Sequence, residues 1–184
     1  MRLFAALPLP DAAREEIERR LRGLKREPWP VRWARADGLH LTLKFFGEVA
    51  EEQVDAIAGA LKAATVGVPA LDLGFTGVSA FPEPRRARVI VVGLEGPAAL
   101  ELLADRVERE CEPLGFPIEA RPFHPHVTIG RVRQGERLRP DAVDRLAGVE
   151  VKGGFLAHEL VLFESRLRPE GPTYVARVAH RLTG

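Results

Sequence analysis

Residues 39–45 read LHLTLKF, and residues 125–131 read PHVTIGR. Each stretch contains a histidine, an apolar residue, a threonine and a second apolar residue, in that order. With five histidines and six threonines in 184 residues, about 0.16 His-x-Thr matches are expected by chance. Two are present, with their histidines 86 positions apart and both within apolar surroundings. The repeat predicts a molecule made of two related halves.

Both stretches have the composition of β-strands, in which successive side chains point to opposite faces. His40 and Thr42 therefore share one face of the first strand, and His126 and Thr128 share one face of the second. The apolar residues between them point the other way, into a core. If the two halves pack about an approximate two-fold axis, both His–Thr pairs face one cleft.

Periodicity and turn residues predict an α+β protein with four helices and nine strands. The helices begin near Asp11, Glu51, Gly96 and Pro140. The strands are predicted at residues 2–7, 31–36, 39–46, 71–81, 87–94, 125–132, 149–152, 156–164 and 173–182. Short turns favour antiparallel pairing, so we expect two pseudo-symmetric lobes, each an antiparallel sheet with helices on its outer face, around an active-site cleft. Residues 1–184 should form this single two-lobed domain.

Composition excludes several classes of protein. Lys and Arg total 27 against 26 Asp and Glu, so the overall field is too weak to hold nucleic acid by itself. No uncharged apolar run reaches the length of about 18 residues that a membrane helix needs. Cys111 is the single cysteine, which excludes an internal disulfide and fits a reducing cytoplasm. The scarcity of Asn, Gln, Met and Cys indicates a thermophilic source; a GC-rich genome would give the same bias towards Arg, Ala, Gly and Pro.

Two imidazoles around one cleft are suited to acid–base chemistry, because their unperturbed pKa of about 6.5 lies near neutral pH. Each threonine hydroxyl can donate a hydrogen bond to an oxygen of the same substrate. Cleavage of a phosphodiester needs this set, with a water deprotonated on one side and the leaving oxygen protonated on the other. Neither motif contains Asp or Glu, so a metal-bound water would be poorly supplied with ligands. The chain also has no Walker loop or other Gly-rich phosphate loop, and we expect no metal and no other cofactor.

The two motifs resemble those of the bacterial and archaeal RNA 2',3'-cyclic phosphodiesterases, also called 2'-5' RNA ligases, of the two-histidine phosphoesterase superfamily. Residues 2–7, 32–33, 40–49, 121–128 and 164–167 carry the resemblance across nearly the whole chain. It implies metal-independent opening of a terminal 2',3'-cyclic phosphate to a 2'-phosphate, and ATP-independent ligation as the reverse reaction. The implied partners are RNA 3' ends or nucleoside 2',3'-cyclic phosphates. Nothing in the sequence requires more than a monomer, so we expect the protein to be monomeric.

The resemblance also implies a role for each motif residue. His40 would protonate the leaving 3' oxygen, and His126 would activate water. Thr42 and Thr128 would hold the phosphate oxygens. Two other interpretations remain: a non-catalytic RNA-binding module with the same cleft, and a metal-dependent phosphoesterase that uses His126 together with His124.

Several flanking residues have two alternative placements. Arg131 is a further phosphate-binding candidate, but a regular strand would point it away from His126. A bulge at Gly130 would re-aim Arg131 towards the cleft, and without one it is a solvated charge. Phe45, at the equivalent place in the first motif, is expected in the core. Phe4 is also expected in the core, with stacking on the terminal base as the alternative.

Residues 82–86 and 133–140 are predicted to be exposed loops, because both are rich in proline, glycine or charge. Arg85, Arg86 and Arg88 either bind RNA phosphates or form an ordinary solvated turn.

Overall fold

The computed structural model describes residues 1–184 and confirms the α+β class. The helices are α1 (Asp11–Leu21), α2 (Val54–Thr65), α3 (Ala98–Cys111) and α4 (Pro140–Ala147). The strands are β1 (Arg2–Pro8), β2 (Val31–Trp33), β3 (His40–Glu48), β4 (Leu71–Phe81), β5 (Val89–Glu95), β6 (His126–Val132), β7 (Gly154–Ala157), β8 (Glu159–Arg168) and β9 (Gly171–Arg181). None of the helices combines the length and the apolar composition of a membrane span.

The predicted strand at residues 149–152 is wrong. The backbone amide of Val149 donates to the carbonyl of Leu146 at the end of α4, so the segment continues the helix terminus instead of pairing with a strand. Gly153 then adopts a φ of +75°, a conformation that glycine tolerates. Pairing resumes one residue later in β7, and the predicted strand at residues 156–164 covers the end of β7 and the start of β8.

All strands pair antiparallel in one curled sheet of order β7-β4-β5-β6-β3-β1-β8-β9, with β2 added to β6. The two predicted lobes are the two halves of this sheet. They meet where β3 pairs with β6, and the pairing consists of Leu41 opposite Val127. The motif strands are therefore direct neighbours at the centre of the molecule.

The helices cover one face of the sheet and enclose the hydrophobic core with it. Helices α2 and α3 pack against each other; α2 also contacts β8 and β9, and α3 contacts β3. Helix α4 contacts β4, and α1 is tied to the segment before β7 because a Glu16 carboxylate oxygen accepts from the Lys152 amide at 3.1 Å. Each fully buried leucine or isoleucine side chain on this face contributes about 1.5–3 kcal/mol. The opposite face, which carries the His–Thr pairs, is named the cleft face below.

Strand β3 contains a bulge immediately after its motif. Thr42 and Lys44 pair with consecutive residues of β1, so Leu43 is the extra residue. Leu43 and Lys44 are both buried on the core side, and Phe45 returns to the cleft face with 69% of its surface exposed. The prediction that Phe45 lies in the core is wrong, because the bulge reverses the alternation of side chains.

Strand β6 contains a bulge at the equivalent place. Thr128 and Gly130 pair with consecutive residues of β5, which leaves Ile129 as the extra residue. Ile129 and Gly130 are buried, and Arg131 is exposed on the cleft face. A Cβ on Gly130 would lie 2.9 Å from Val31 Cγ1, so the close approach of β2 requires glycine there. Of the two placements considered for Arg131, the structure has the one in which a bulge turns the side chain towards the cleft.

Lys44 uses its buried position to hold α3 against β3. Its Nζ donates to Glu108 Oε2 of α3 and to the carbonyl oxygen of Pro117 at 2.9 Å. The same carboxylate oxygen accepts from the Glu119 amide at 3.1 Å. Both charged groups are thus removed from water and hydrogen-bonded, the condition under which a buried ion pair is tolerated.

We expect Lys44→Met to lower the free energy of unfolding by about 3–5 kcal/mol, because it leaves the Glu108 carboxylate buried without its partner. The double variant Lys44→Met/Glu108→Leu should recover most of this loss. Urea denaturation measures both values, with Lys62→Met on the exposed side of α2 as the control. A Lys44→Met protein within about 0.5 kcal/mol of the parent would contradict the assignment.

Candidate active site

The register between β3 and β6 brings the four predicted motif residues together. Since the central pair is antiparallel, His40 lies beside Thr128, and Thr42 lies beside His126, on the cleft face. All four are half-buried, whereas the apolar residues between them are buried. Each imidazole is therefore next to the hydroxyl of the other half.

Small apolar residues flank the two hydroxyls. Ala6 of β1 pairs with Thr42, and Val91 of β5 pairs with Thr128. Both apolar residues are buried, yet neither belongs to the main core on the other face. Such neighbours exclude water from the strands and strengthen any hydrogen bond that the hydroxyls make.

Each imidazole is oriented by a carbonyl two residues before it. His40 Nδ1 lies 2.7 Å from the carbonyl oxygen of Gly38, and His126 Nδ1 lies 2.6 Å from that of His124. A carbonyl oxygen can only accept, so both Nδ1 atoms carry hydrogen and donate. In each ring Nε2 is the remaining nitrogen, which is a base when the ring is neutral and an acid when it is charged.

Aromatic side chains enclose His40. The ring of Phe4 lies 4.7 Å from it, that of Tyr174 lies 5.2 Å away edge-on, and that of Phe163 lies 6.4 Å away. Tyr174 also covers Gly38, where a Cβ would approach its Cε2 atom to 3.0 Å. Phe4 is 3% exposed, so it is buried as expected, but against His40 on the cleft face, where no ring face is free for a base.

The pKa of His40 is lowered, chiefly because burial disfavours the charged ring. The hydrogen bond to the Gly38 carbonyl opposes this shift, and the positive charges of Arg131 and His126 add to it. The neutral form of His40 is therefore favoured in the free protein.

The surroundings of His126 are more open. Phe81 of β4 lies 6.0 Å from it, ring to ring, and is 42% exposed. Gly93 pairs with His126 across β5 and β6. The Thr76 hydroxyl occupies the space that a Cβ on Gly93 would need, so a larger residue beside His126 would require the Thr76 side chain to turn away.

Two arginines stand side by side on the cleft face. Arg131 pairs with Arg32 of β2, and both are exposed. Neither has a carboxylate within ion-pair distance. Arg131 also lowers the pKa of His40, and its charge opposes the rise that burial causes in the pKa of Tyr174. Like charges directly opposite one another are unfavourable, so an anion bound here would stabilise the pair.

Sequence reasoning missed the aromatic groups around the two imidazoles. Phe81, Phe163 and Tyr174 come from β4, β8 and β9, and no local motif marks them. Tyr174 is the single tyrosine of the chain, which is the one compositional signal available.

The remaining histidines do not join the cluster. His124 is exposed and contributes its backbone carbonyl to His126. His180 Nε2 lies 2.8 Å from the Ala58 carbonyl oxygen and links β9 to α2, while His158 is exposed. No group of three or more His, Cys, Asp or Glu side chains is arranged to hold a metal ion.

The fold and the two motif strands define a class of protein. The family model of the 2'-5' RNA ligase superfamily matches residues 8–168, and the chain belongs to this superfamily. The resemblance noted in the sequence is thereby confirmed.

Individual members of the superfamily are similar along the whole chain. An RNA 2',3'-cyclic phosphodiesterase of Methanothermobacter thermautotrophicus is 33% identical over 99% of both chains. A protein of the same name from Archaeoglobus fulgidus is 34% identical over 95% of this chain and 96% of its own. Among solved structures, Escherichia coli LigT complexed with 3'-AMP superimposes with a TM-score of 0.79 and 28% identity, covering 100% of this chain and 98% of LigT.

We expect Arg131→Gln to raise the pKa of His40, because it removes a positive charge that disfavours the imidazolium. NMR titration of the His40 ring proton measures the change. Arg181→Gln, which removes an exposed arginine from β9, serves as the control and should leave the pKa of His40 unchanged. A constant or lowered value in Arg131→Gln would show that the Arg131 guanidinium lies elsewhere.

Proposed function

We propose that the protein hydrolyses the terminal 2',3'-cyclic phosphate of RNA to a 2'-phosphate, without a metal or other cofactor. The observation that carries the proposal is the pair of imidazoles on one face, each with Nδ1 held by a carbonyl and with Nε2 free. The relatives named RNA 2',3'-cyclic phosphodiesterase support the choice of substrate.

The proposed mechanism uses the two rings in opposite protonation states. His126 Nε2 takes a proton from water as the water oxygen attacks phosphorus. The bond from phosphorus to the 3' oxygen breaks, and His40 Nε2 gives its proton to that oxygen. The product is a 2'-phosphate with a free 3' hydroxyl. Because one ring is neutral and the other charged, the rate should have a bell-shaped dependence on pH.

The hydroxyls and Arg131 would act on the phosphate oxygens. Thr42 and Thr128 lie beside the two imidazoles and can donate to the non-bridging oxygens, where charge develops as water attacks. Arg131 adds an unpaired positive charge close to His40. Donors and charges fixed by strands need little reorganisation during the reaction, which is the main source of such stabilisation.

Ligation would use the same groups. An RNA 5' hydroxyl would replace water, His126 would take its proton, and attack on the cyclic phosphate would leave a 2'-5' phosphodiester. The phosphate is already activated by its ring, so no ATP is needed.

We further propose that residues 1–184 act as a monomeric, single-domain enzyme in the cytoplasm. Both motif strands belong to one chain and are adjacent in its sheet, so the proposed site needs no second copy. The single cysteine is consistent with a reducing compartment.

We expect His40→Ala and His126→Ala each to reduce hydrolysis of RNA ending in a 2',3'-cyclic phosphate by about 10²–10⁴-fold, the usual contribution of a general acid or base. The assay contains EDTA, and the released 2'-phosphate is measured. His158→Ala, which alters an exposed histidine outside the cleft, should keep full activity.

The same assay separates the alternatives. Activity of both variants equal to that of the parent would contradict the mechanism. Binding of 2'-phosphorylated RNA without any turnover would favour the non-catalytic module, and complete loss of the parent's activity in EDTA would favour the metal-dependent phosphoesterase.

We expect Thr42→Val and Thr128→Val to lower kcat by about tenfold or more, because one hydrogen bond to a charged oxygen contributes about 1.5–3 kcal/mol. Thr→Ser at the same positions keeps the hydroxyl and should retain most of kcat. Steady-state kinetics on a nucleoside 2',3'-cyclic phosphate measures this. Equal rates for the Val and Ser variants would show that neither hydroxyl contacts the phosphate.

A further inference from the structure

The two loops that the sequence predicted to be exposed, residues 82–86 and 133–140, converge beside the cleft. The Arg88 side chain joins them, because its Nη2 donates to the carbonyl oxygen of Glu136. The backbone amide of Arg88 also donates to the Phe81 carbonyl oxygen at 2.6 Å. Together the loops form an open groove, the arginine groove, lined by Pro82, Arg86, Arg88, Gly135, Glu136 and Arg137.

The arginine groove concentrates positive charge that the chain as a whole lacks. Residues 82–88 and 133–139 contain six arginines and two glutamates, whereas the whole chain has a net charge of +1. Arg86 is 80% exposed and reaches Glu83 only at 3.7 Å. Arg85 and Arg137 have no carboxylate within ion-pair distance. The alternative of an ordinary solvated turn concerns residues 82–88 alone. It does not explain why arginines from a second, distant segment lie in the same groove.

The position of the groove relates it to the proposed site. Phe81, whose ring lies 6.0 Å from that of His126, is followed directly by Pro82, the first residue of the groove. Moving outwards from His126, a ligand would therefore meet an exposed aromatic ring and then several guanidinium groups. Aromatic platforms next to a basic groove are the usual surface for single-stranded RNA.

We propose that the arginine groove binds the phosphodiester backbone of the same RNA chain whose terminal cyclic phosphate lies between His40 and His126. The inference rests on the proposed function and extends it, because it makes an oligonucleotide a better substrate than a mononucleotide. Guanidinium groups bind phosphates through paired hydrogen bonds. Arg88 holds the two loops together, which leaves Arg86 and Arg137 as the groups that contact the phosphates.

The test compares two substrates in one double variant, Arg86→Ala/Arg137→Ala. We expect kcat/KM for a pentanucleotide ending in a 2',3'-cyclic phosphate to fall about tenfold or more, since one charge-assisted hydrogen bond contributes more than about 1.4 kcal/mol. For cytidine 2',3'-cyclic phosphate, which has no further phosphodiester, kcat/KM should stay unchanged. The dependence of RNA binding on salt should also weaken, by a slope of about 0.7 for each phosphate that the variant no longer neutralises.

The matched control is Arg168→Ala/Arg181→Ala, which removes two exposed arginines from β8 and β9 and should affect neither substrate. Thermal unfolding verifies that both double variants are folded. An unchanged kcat/KM for the pentanucleotide, or an equal fall for both substrates, would overturn the proposal. A double variant that, in a ligation assay, loses affinity only for the RNA that supplies the 5' hydroxyl would also overturn the proposal. The groove would then bind the second RNA and not the one with the cyclic phosphate.

A binding measurement keeps this test separate from the proposed function. Fluorescence anisotropy with a labelled pentanucleotide that ends in a 2'-phosphate needs no turnover. If the parent protein hydrolyses neither substrate, the proposed function fails. The groove proposal then stands if the double variant binds this RNA about tenfold more weakly, and falls if the affinity is unchanged.

Discussion

One pair of residues, Leu41 opposite Val127, joins the two halves of the sheet, and the geometry of the cleft depends on it. Because the strands are antiparallel there, a fixed register sets each histidine beside the threonine of the other half. A shift of either strand by one residue would turn its histidine and threonine into the core and the apolar residues between them into water. The core thus specifies the site: burial of Leu41 and Val127 stabilises the register, and the register assembles the polar groups.

The two bulges lie at equivalent positions in the two halves of the sheet, but the side chains that follow them differ. Both strands reverse their alternation directly after the threonine, at Leu43 in β3 and at Ile129 in β6. The next residue is buried in both, but Lys44 holds α3 through Glu108, while its counterpart is a glycine pressed against β2. The residue after that is Phe45 on one side and Arg131 on the other. Equivalent backbone positions therefore give one end of the cleft an apolar surface and the other end a positive charge.

Sequence alone predicts the parts of this structure that follow from alternation. The fold class, most of the strands and the shared face of each His–Thr pair come from a period of two residues and a repeated motif. Phe45 could not be placed correctly, because a bulge depends on the register with β1 and leaves no local signature in an apolar run. Tyr174 and Phe163 were missed since their contacts with His40 arise from strands more than 120 residues away in the chain. Residues 149–152 have the composition of a strand, but the Val149 amide donates to the Leu146 carbonyl at the end of α4 and is not available for pairing with another strand.

The carbonyl partners of the two imidazoles have a consequence for the timing of protonation. A carboxylate in that position would fix the tautomer and also stabilise a cationic ring, whereas a neutral carbonyl does mainly the first. Burial of His40 among aromatic rings and the nearby charge of Arg131 lower its pKa and so favour the neutral ring while the cleft is empty. On the proposed mechanism, the negative charge of a bound cyclic phosphate would supply the missing counterion and raise the pKa of His40, so binding of the substrate would itself favour the protonated ring that acts as the acid. A neutral analogue of the same shape would not bring this charge, and the His40 ring would stay neutral when the analogue binds.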